Sequence, residues 1–333
     1  MDGLLVVDKP AGPTSHDVVA RVRRALGERQ VGHTGTLDPA ATGVLPLVLG
    51  RATRLARFLT AGAKSYDAVV RLGIVTNTYD AEGVPVGSPY DGPLPSRDAI
   101  EQTLAHFRGT FLQQPPAYSA KKIDGQRSYQ LARRHARAVA ATPLEPLEPL
   151  EPSAPLAPPE PLAPLEPVSV TVSALDVVGC EGDIVTLRLD CSAGFYVRSL
   201  AHDLGERLGT GAHLRALRRT RSGGVGLDTA LPLDRIEQDP EQARRAMIPM
   251  SAMLTSLAAV TLTADGVRRA LHGRDVGPND MVLGVHGILG VPGVPGVPGV
   301  QMTVRLVDER GELVAMAVAA STPGLLHPSV VLM

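Results

Sequence analysis

The segment Gly32-His33-Thr34-Gly35-Thr36-Leu37-Asp38-Pro39-Ala40-Ala41-Thr42-Gly43-Val44-Leu45-Pro46 brings together residue types that could do chemistry. Its three glycines permit tight turns or a close approach of the backbone to a ligand. Pro39 pushes Asp38 toward extended backbone, so the segment is expected to be a loop and not a helix interior. A carboxylate held on such a loop beside His33 is poised for nucleophilic attack or for acid–base work. The Asp-Pro pair also reads as an ordinary helix start or turn pair, with Asp38 as the cap and Pro39 in the first position, and such a pair taken alone is more often that. Other chemistries leave no trace. There is no H-E-x-x-H, and Cys180 and Cys191 form no C-x-x-C and do not pair with histidine at ligand spacing, so no metal site is expected. Walker A, a complete G-x-G-x-x-G and a G-x-S-x-G elbow are all missing.

The elements that must position this loop follow from pattern. Leu4–Val7 is a strand, and Thr14 or Ser15 caps a helix from His16 to Leu26 with Val18, Val19, Val22 and Leu26 on one face. Tyr66–Leu72 reads as a strand, and Ser96 caps a helical pattern over Arg97–Phe107. Val168–Val178 and Asp183–Asp190 are β-rich runs joined by Cys180-Glu181-Gly182, a hairpin signal, and Phe195–Leu208 is helical up to Gly209. Strands and helices mix without regular βαβ spacing, which predicts α+β with a mixed, largely antiparallel sheet. From about Val260 a short helix, Ala264–Leu271, precedes glycine-punctuated strands, Met302–Val307 and Leu313–Val318, as in a small separate β-rich domain.

The 333 residues exceed one average domain, and 44% hydrophobic with 20% charged is a globular composition. No run approaches the ~20 apolar residues of a membrane-spanning helix. The N-terminus lacks a secretory signal, and two cysteines cannot staple such a chain, so a reduced, cytoplasmic protein is expected. Residues 142–167 hold 10 of the 29 prolines, 5 glutamates and no basic residue, an extended solvated spacer with no packed partner. A proline-reading partner is the alternative occupation of that segment. Gly290–Val300 repeats Val-Pro-Gly three times, a turn-rich loop tip. The near-neutral total, 33 basic against 34 acidic, hides three basic clusters at 51–57, 121–137 (with Tyr129) and 198–221. Singly each reads as a solvated face; together they predict a stripe that neutralises phosphates and binds a polyanion.

The loop GHTGTLDPAATGVLP resembles the catalytic loop of pseudouridine synthases of the TruB type, the tRNA pseudouridine-55 synthases. Four further stretches match in order: Leu5-Val6-Val7-Asp8-Lys9-Pro10-Ala11-Gly12; Lys64-Ser65-Tyr66 with Arg71-Leu72-Gly73; Pro115-Pro116-Ala117-Tyr118-Ser119-Ala120-Lys121-Lys122; and Cys191-Ser192-Ala193-Gly194-Phe195-Tyr196-Val197-Arg198-Ser199-Leu200 continuing to Gly211-Ala212-His213. The resemblance covers Gly3 to about Arg221 apart from the proline-rich insert. It implies a catalytic domain over 1–252 and a small PUA-like RNA-binding domain over 258–333. It also implies a reaction that needs no cofactor, because uridine's N1–C1′ bond breaks and C5 rejoins the same sugar with no atom gained or lost.

Residue by residue, the resemblance makes Asp38 the catalytic carboxylate, acting on the sugar or by a glycal route. Arg198 becomes its counter-ion, holding the carboxylate charged in a dry pocket. Tyr66 is the aromatic that stacks on the flipped base; Tyr196 and Leu217 line the uracil pocket; His33 stacks where the base left. Without the resemblance, Arg198 reads as a surface or phosphate-binding arginine, Tyr66 and Leu217 as core, and His33 as bonded within its own loop. The implied partner is the tRNA T-arm stem-loop, whose target base must be extruded. No obligate protein partner is evident, and a monomer is expected. A non-catalytic tRNA-folding chaperone is the rival, as is an enzyme of the same chemistry acting on ribosomal RNA or directed by a guide RNA. Ala40 and Ala193 depart from the family pattern, which more often has a larger aliphatic residue and a lysine there. The acidic 142–167 insert replaces a short basic connection, and the Val-Pro-Gly repeat lengthens a later loop.

Overall fold

The computed structural model describes residues 1–117, 165–282 and 303–332, together with the strand pairs 122–123 and 126–127. Most of the basic 121–137 segment, residues 142–164 of the proline-rich stretch and the Val-Pro-Gly repeat lie outside the described residues. By its internal contacts the chain divides into two compact units, Met1–Gly62 with Arg221–Met333, and Ala63–Thr220. This division falls elsewhere than the expected boundary between residues 252 and 258.

In the first unit β1 (Gly3–Lys9) leads through Thr14 into α1 (Ser15–Leu26). Thr14 takes the cap: its hydroxyl accepts the Asp17 N–H, and the Asp17 carboxylate accepts the Thr14 N–H. Such a reciprocal box satisfies two otherwise orphaned donors. Val18, Val19, Val22 and Leu26 are buried, the face expected from their spacing, and Gly27 closes the helix in the left-handed conformation. β2 (Val31–His33) and β1 both pair antiparallel with β3 (Thr42–Leu49), from Gly3↔Leu49 to Lys9↔Gly43 and from Val31↔Leu49 to His33↔Leu47. The candidate loop is therefore the connection from β2 to β3. No helix begins at Asp38, so of the two ordinary readings of Asp38-Pro39 the turn holds and the helix start does not.

The same unit carries a four-stranded sheet in the order 259–261, 304–307, 313–319, 326–331. Its first pair is parallel and the next two antiparallel, and Val260, Leu262, Val304, Leu306 and Val314 form its core with Ala270 of the helix Ala264–Leu271. Val307, Leu313, Met316 and Leu332 bury against Leu4, Val6, Val44 and Val48. The expected small β-rich body is thus present as its own sheet.

In the second unit the order is β8 (Ala212–Ser222), β4 (Lys64–Leu72), β7 (Ile184–Cys191), β6 (Val168–Glu181), β5 (Gly109–Gln113). The pairs β4–β7, β7–β6 and β6–β5 are antiparallel. Two helices complete it: α2 (Arg97–Leu104), capped by Ser96, and α3 (Val197–Leu208), ended by Gly209 in the left-handed region. The expected helix from Arg97 shortens after Leu104 to a 3-10 turn over Ala105–Phe107. The fold class is α+β, as the mixture of elements predicts.

Candidate active site

Asp38 sits half-buried on a loop that is fastened on both sides of it. Because Thr14 does the capping, the Ser15 hydroxyl is available to the loop: it donates to the Leu37 carbonyl (3.0 Å) and accepts the Leu37 N–H (2.9 Å). After Asp38, the fully buried Lys9 ammonium donates to the carbonyls of Pro39 (2.9 Å), Ala41 (2.7 Å) and Pro10 (2.9 Å). Three acceptors match the three N–H bonds of an ammonium, which is how a buried lysine stays charged. The Gly12 N–H also donates to the Pro39 carbonyl (2.9 Å), and the Ala41 N–H closes a turn on the Asp38 carbonyl (3.1 Å). His33, at the end of β2, meets the ring of His16 edge-on, with centroids 5.2 Å apart. The six residues singled out by resemblance divide between the units: Asp38 and His33 lie in the first, and Tyr66, Tyr196, Arg198 and Leu217 in the second.

In the second unit, β4 alternates so that Lys64, Tyr66, Ala68, Val70 and Leu72 are buried on one face, with Tyr66 opposite Leu189 of β7. Leu217 is half-buried on β8, the neighbour of β4, and α3 packs on β4. Tyr196 immediately precedes α3 and Arg198 is its second residue. Arg198 is not a surface arginine. Its Nη1 lies 3.5 Å from Asp80 Oδ2 and donates to the Thr78 carbonyl (3.2 Å), and the two side chains are only 8% and 15% exposed. At that burial the pair is desolvated, and either charge without the other is costly.

The loop bearing Asp80 is itself fixed. The Leu214 N–H donates to the Tyr79 carbonyl (2.9 Å) and the Ala81 N–H to the Leu214 carbonyl (3.0 Å). Tyr79 adopts φ 64°, a left-handed conformation uncommon for a bulky side chain, and its ring stacks on His202 with centroids 3.8 Å apart. His202 is four residues after Arg198 and so shares its helix face. One face of α3 therefore grips the 78–80 turn twice, by charge and by stacking.

Further side chains at this end of the unit escaped the reading of the sequence. The Gln113 amide donates to the Tyr196 carbonyl (3.0 Å) and accepts the Tyr196 N–H (2.8 Å), while Ser199 Oγ donates to the Gln114 carbonyl (2.8 Å). Asp80 lies in the turn that follows the short strand Val75–Thr76. Burial pushes the Lys64 ammonium down to about 8, with the nearby Arg219 charge acting in the same direction. Burial also holds the Asp203 carboxyl above its ordinary range.

The basic clusters are partly committed to partners within the protein. Arg51 Nη1 donates to the Leu332 carbonyl (3.1 Å) and pairs with Asp2 (2.8 Å), and Arg54 donates to the Val331 carbonyl. Arg198 and Arg219 are buried, and the Arg207 guanidinium lies over the Phe107 ring at 5.4 Å. Among the described residues no group of three or more His, Cys, Asp or Glu is placed to hold a metal ion, and no helix is long and apolar enough to cross a membrane.

Residues 23–145 match the family described as TruB family pseudouridylate synthase (N terminal domain), and residues 198–255 match the tRNA pseudouridylate synthase B C-terminal domain. Tested against individual proteins, the chain is 40% identical over 334 residues to tRNA pseudouridine synthase B of Solibacter usitatus, covering 100% of both. It is 44% identical to the protein of the same name from Gloeobacter violaceus, covering 84% of this chain and 88% of that one. Among solved structures it resembles a Cbf5-Nop10-Gar1 complex chain (TM-score 0.68, 27% identity, 99% of this chain and 85% of that chain). A chain of an H/ACA RNP bound to a substrate RNA containing 2'-deoxyuridine gives a TM-score of 0.67 at 26% identity, covering 99% of this chain and 85% of that chain. With a relative similar from end to end, the chain belongs to the TruB family of pseudouridine synthases, enzymes of the isomerase class.

Proposed function

We propose that the protein converts uridine-55 in the T-loop of tRNA to pseudouridine, with Asp38 as the residue that acts on the target nucleotide. The observation that supports this most is the end-to-end likeness to a tRNA pseudouridine synthase B, together with an aspartate on a loop fastened at Leu37, Pro39 and Ala41. The target base must first leave its stack, at a cost of a few kcal/mol. Asp38 then promotes cleavage of N1–C1′, by attack on the sugar or by proton removal that yields a glycal. The uracil turns, C5 bonds to C1′, the C5 proton leaves and N1 gains a proton, so the product is an isomer. Arg198, already paired with Asp80, also serves as counter-ion to Asp38, because a guanidinium has five donors to share. Tyr66 stacks on the extruded base, Tyr196 and Leu217 line its pocket, and His33 fills the gap left in the RNA.

The test is tritium release from T-arm RNA labelled at uridine C5. Wild-type protein is expected to release it and Asp38→Asn to release none; full release by that variant would remove Asp38 from the mechanism. A second reading is favoured by the similarity to chains from H/ACA and Cbf5 complexes: action on an RNA presented by a guide. Turnover of free tRNA by the purified chain decides against it. A chaperone without catalysis would bind and remodel tRNA yet leave C5–H untouched.

A further inference from the structure

We propose that Gln113 is a positioning residue for this reaction, its amide setting the main chain of Tyr196 and through it the aim of Tyr196 and Arg198. The inference rests on the assignment of those two residues above. Gln113 ends β5 and is 1% exposed. Its amide treats Tyr196 as a neighbouring strand would, donating to the carbonyl at 3.0 Å and accepting the N–H at 2.8 Å. Tyr196 holds an extended conformation (φ −110°, ψ 109°) at the entry to α3, and no side-chain cap fixes that entry. The amide of Gln113 takes over that task. The next residue reinforces it, since the Gln114 carbonyl accepts from Ser199 Oγ at 2.8 Å. Phe111 meets Phe195 edge-to-face at 6.4 Å, so the same strand braces the approach to α3 with apolar contact.

Two consecutive glutamines thus hold the first turn of α3 at both ends, with Arg198 between the held positions 196 and 199. A primary amide offers a donor and an acceptor at one tip at every pH. Methionine matches its length with neither, and an ionised glutamate keeps the acceptor alone. A misplacement of about 1 Å at a reacting group costs on the order of a hundredfold in rate. Losing this clamp should therefore appear in turnover and not in RNA binding.

The experiment compares wild type, Gln113→Met and Gln113→Glu for kcat and KM on C5-tritiated T-arm RNA, with melting curves to count folded enzyme. Gln113→Met is expected to lower kcat by about tenfold or more with KM unchanged within about twofold. Gln113→Glu supplies the readout that a packing role would not move. Burial raises its carboxyl pKa, so the protonated form, which again donates and accepts, grows as the pH falls. Its kcat per folded enzyme, relative to wild type, should climb between about pH 8 and pH 6. If Gln113→Met does not fold, that pH ratio carries the test alone. Wild-type kcat in folded Gln113→Met, or a flat ratio for Gln113→Glu, would overturn the role of Gln113 only. A wild-type protein that releases no tritium would overturn the reaction itself, and this role with it.

Discussion

Arg198 reaches Asp80 and the Thr78 carbonyl from the first turn of α3, and both charged side chains are nearly closed off from water. The pair is desolvated, so removing Asp80 takes an anion from a buried guanidinium with no water to replace it. Asp80→Ala is expected to destabilise the protein by about 2–3 kcal/mol, read by urea unfolding, and to lower kcat as the guanidinium loses its anchor. Asp80→Asn, which keeps acceptor and volume, should cost less stability. Lys64, two residues before Tyr66 on the same buried face, makes a pH-dependent prediction. Its folded value of about 8 lies below the 10.5 of an unfolded lysine. Between those values the unfolded chain holds the extra proton, so this group makes stability rise with pH through that window. Below it, the burial penalty is felt in full. Melting temperatures of wild type minus Lys64→Met should therefore increase from about pH 8 to pH 10 and be level on either side.

At the scale of elements, the loop from β2 to β3 is shaped by neighbours remote in sequence. Ser15, freed from capping by Thr14, pins the residue before Asp38, and Lys9 pins the residues after it. Ser15→Ala removes two hydrogen bonds on Leu37 and should cost about 1–3 kcal/mol in urea unfolding, with a fall in kcat larger than any loss of RNA affinity. An equal loss in both would show that the loop also binds RNA. The elements were legible where a local pattern fixes them: the buried stripe of α1 and its cap at Thr14 or Ser15, the strand over Tyr66–Leu72, the end of α3 at Gly209. They were not legible where tertiary pairing overrides local preference. Pro46 lies inside β3, a strand buried almost throughout, where proline is disfavoured. It is tolerated because its carbonyl accepts from Thr34, so its nitrogen faces the side on which the β2 ladder has already ended.

At the scale of the whole molecule, charge counted along the chain overstates what is offered to RNA. Arg51 and Arg54 belong to a cluster that reads as an anion-binding face, yet both guanidiniums hold main-chain carbonyls of the last strand region, at Leu332 and Val331. Arg51→Ala with Arg54→Ala should lower the melting temperature. It should change the slope of log K against log salt for T-arm RNA by less than about one, because few phosphate contacts are lost. A slope reduced by about two would return both residues to the RNA surface. The contact units also cut across the chain order, since residues 221–333 join residues 1–62.

By itself the sequence determined the local structure and the family: which runs recur as strands and helices, where the caps fall, that Asp38 lies on a loop, and which family motif that loop carries. Those properties depend on neighbours a few residues apart, and the spacing of side chains records them directly. Only the tertiary structure decided that Lys9 and Ser15 hold the loop, that Asp80 pairs with Arg198, that Gln113 grips Tyr196, and that Arg51 and Arg54, though exposed, bond the carbonyls of Leu332 and Val331. Each of those contacts closes a long stretch of chain, and which donor meets which acceptor is settled by how the sheets and helices pack.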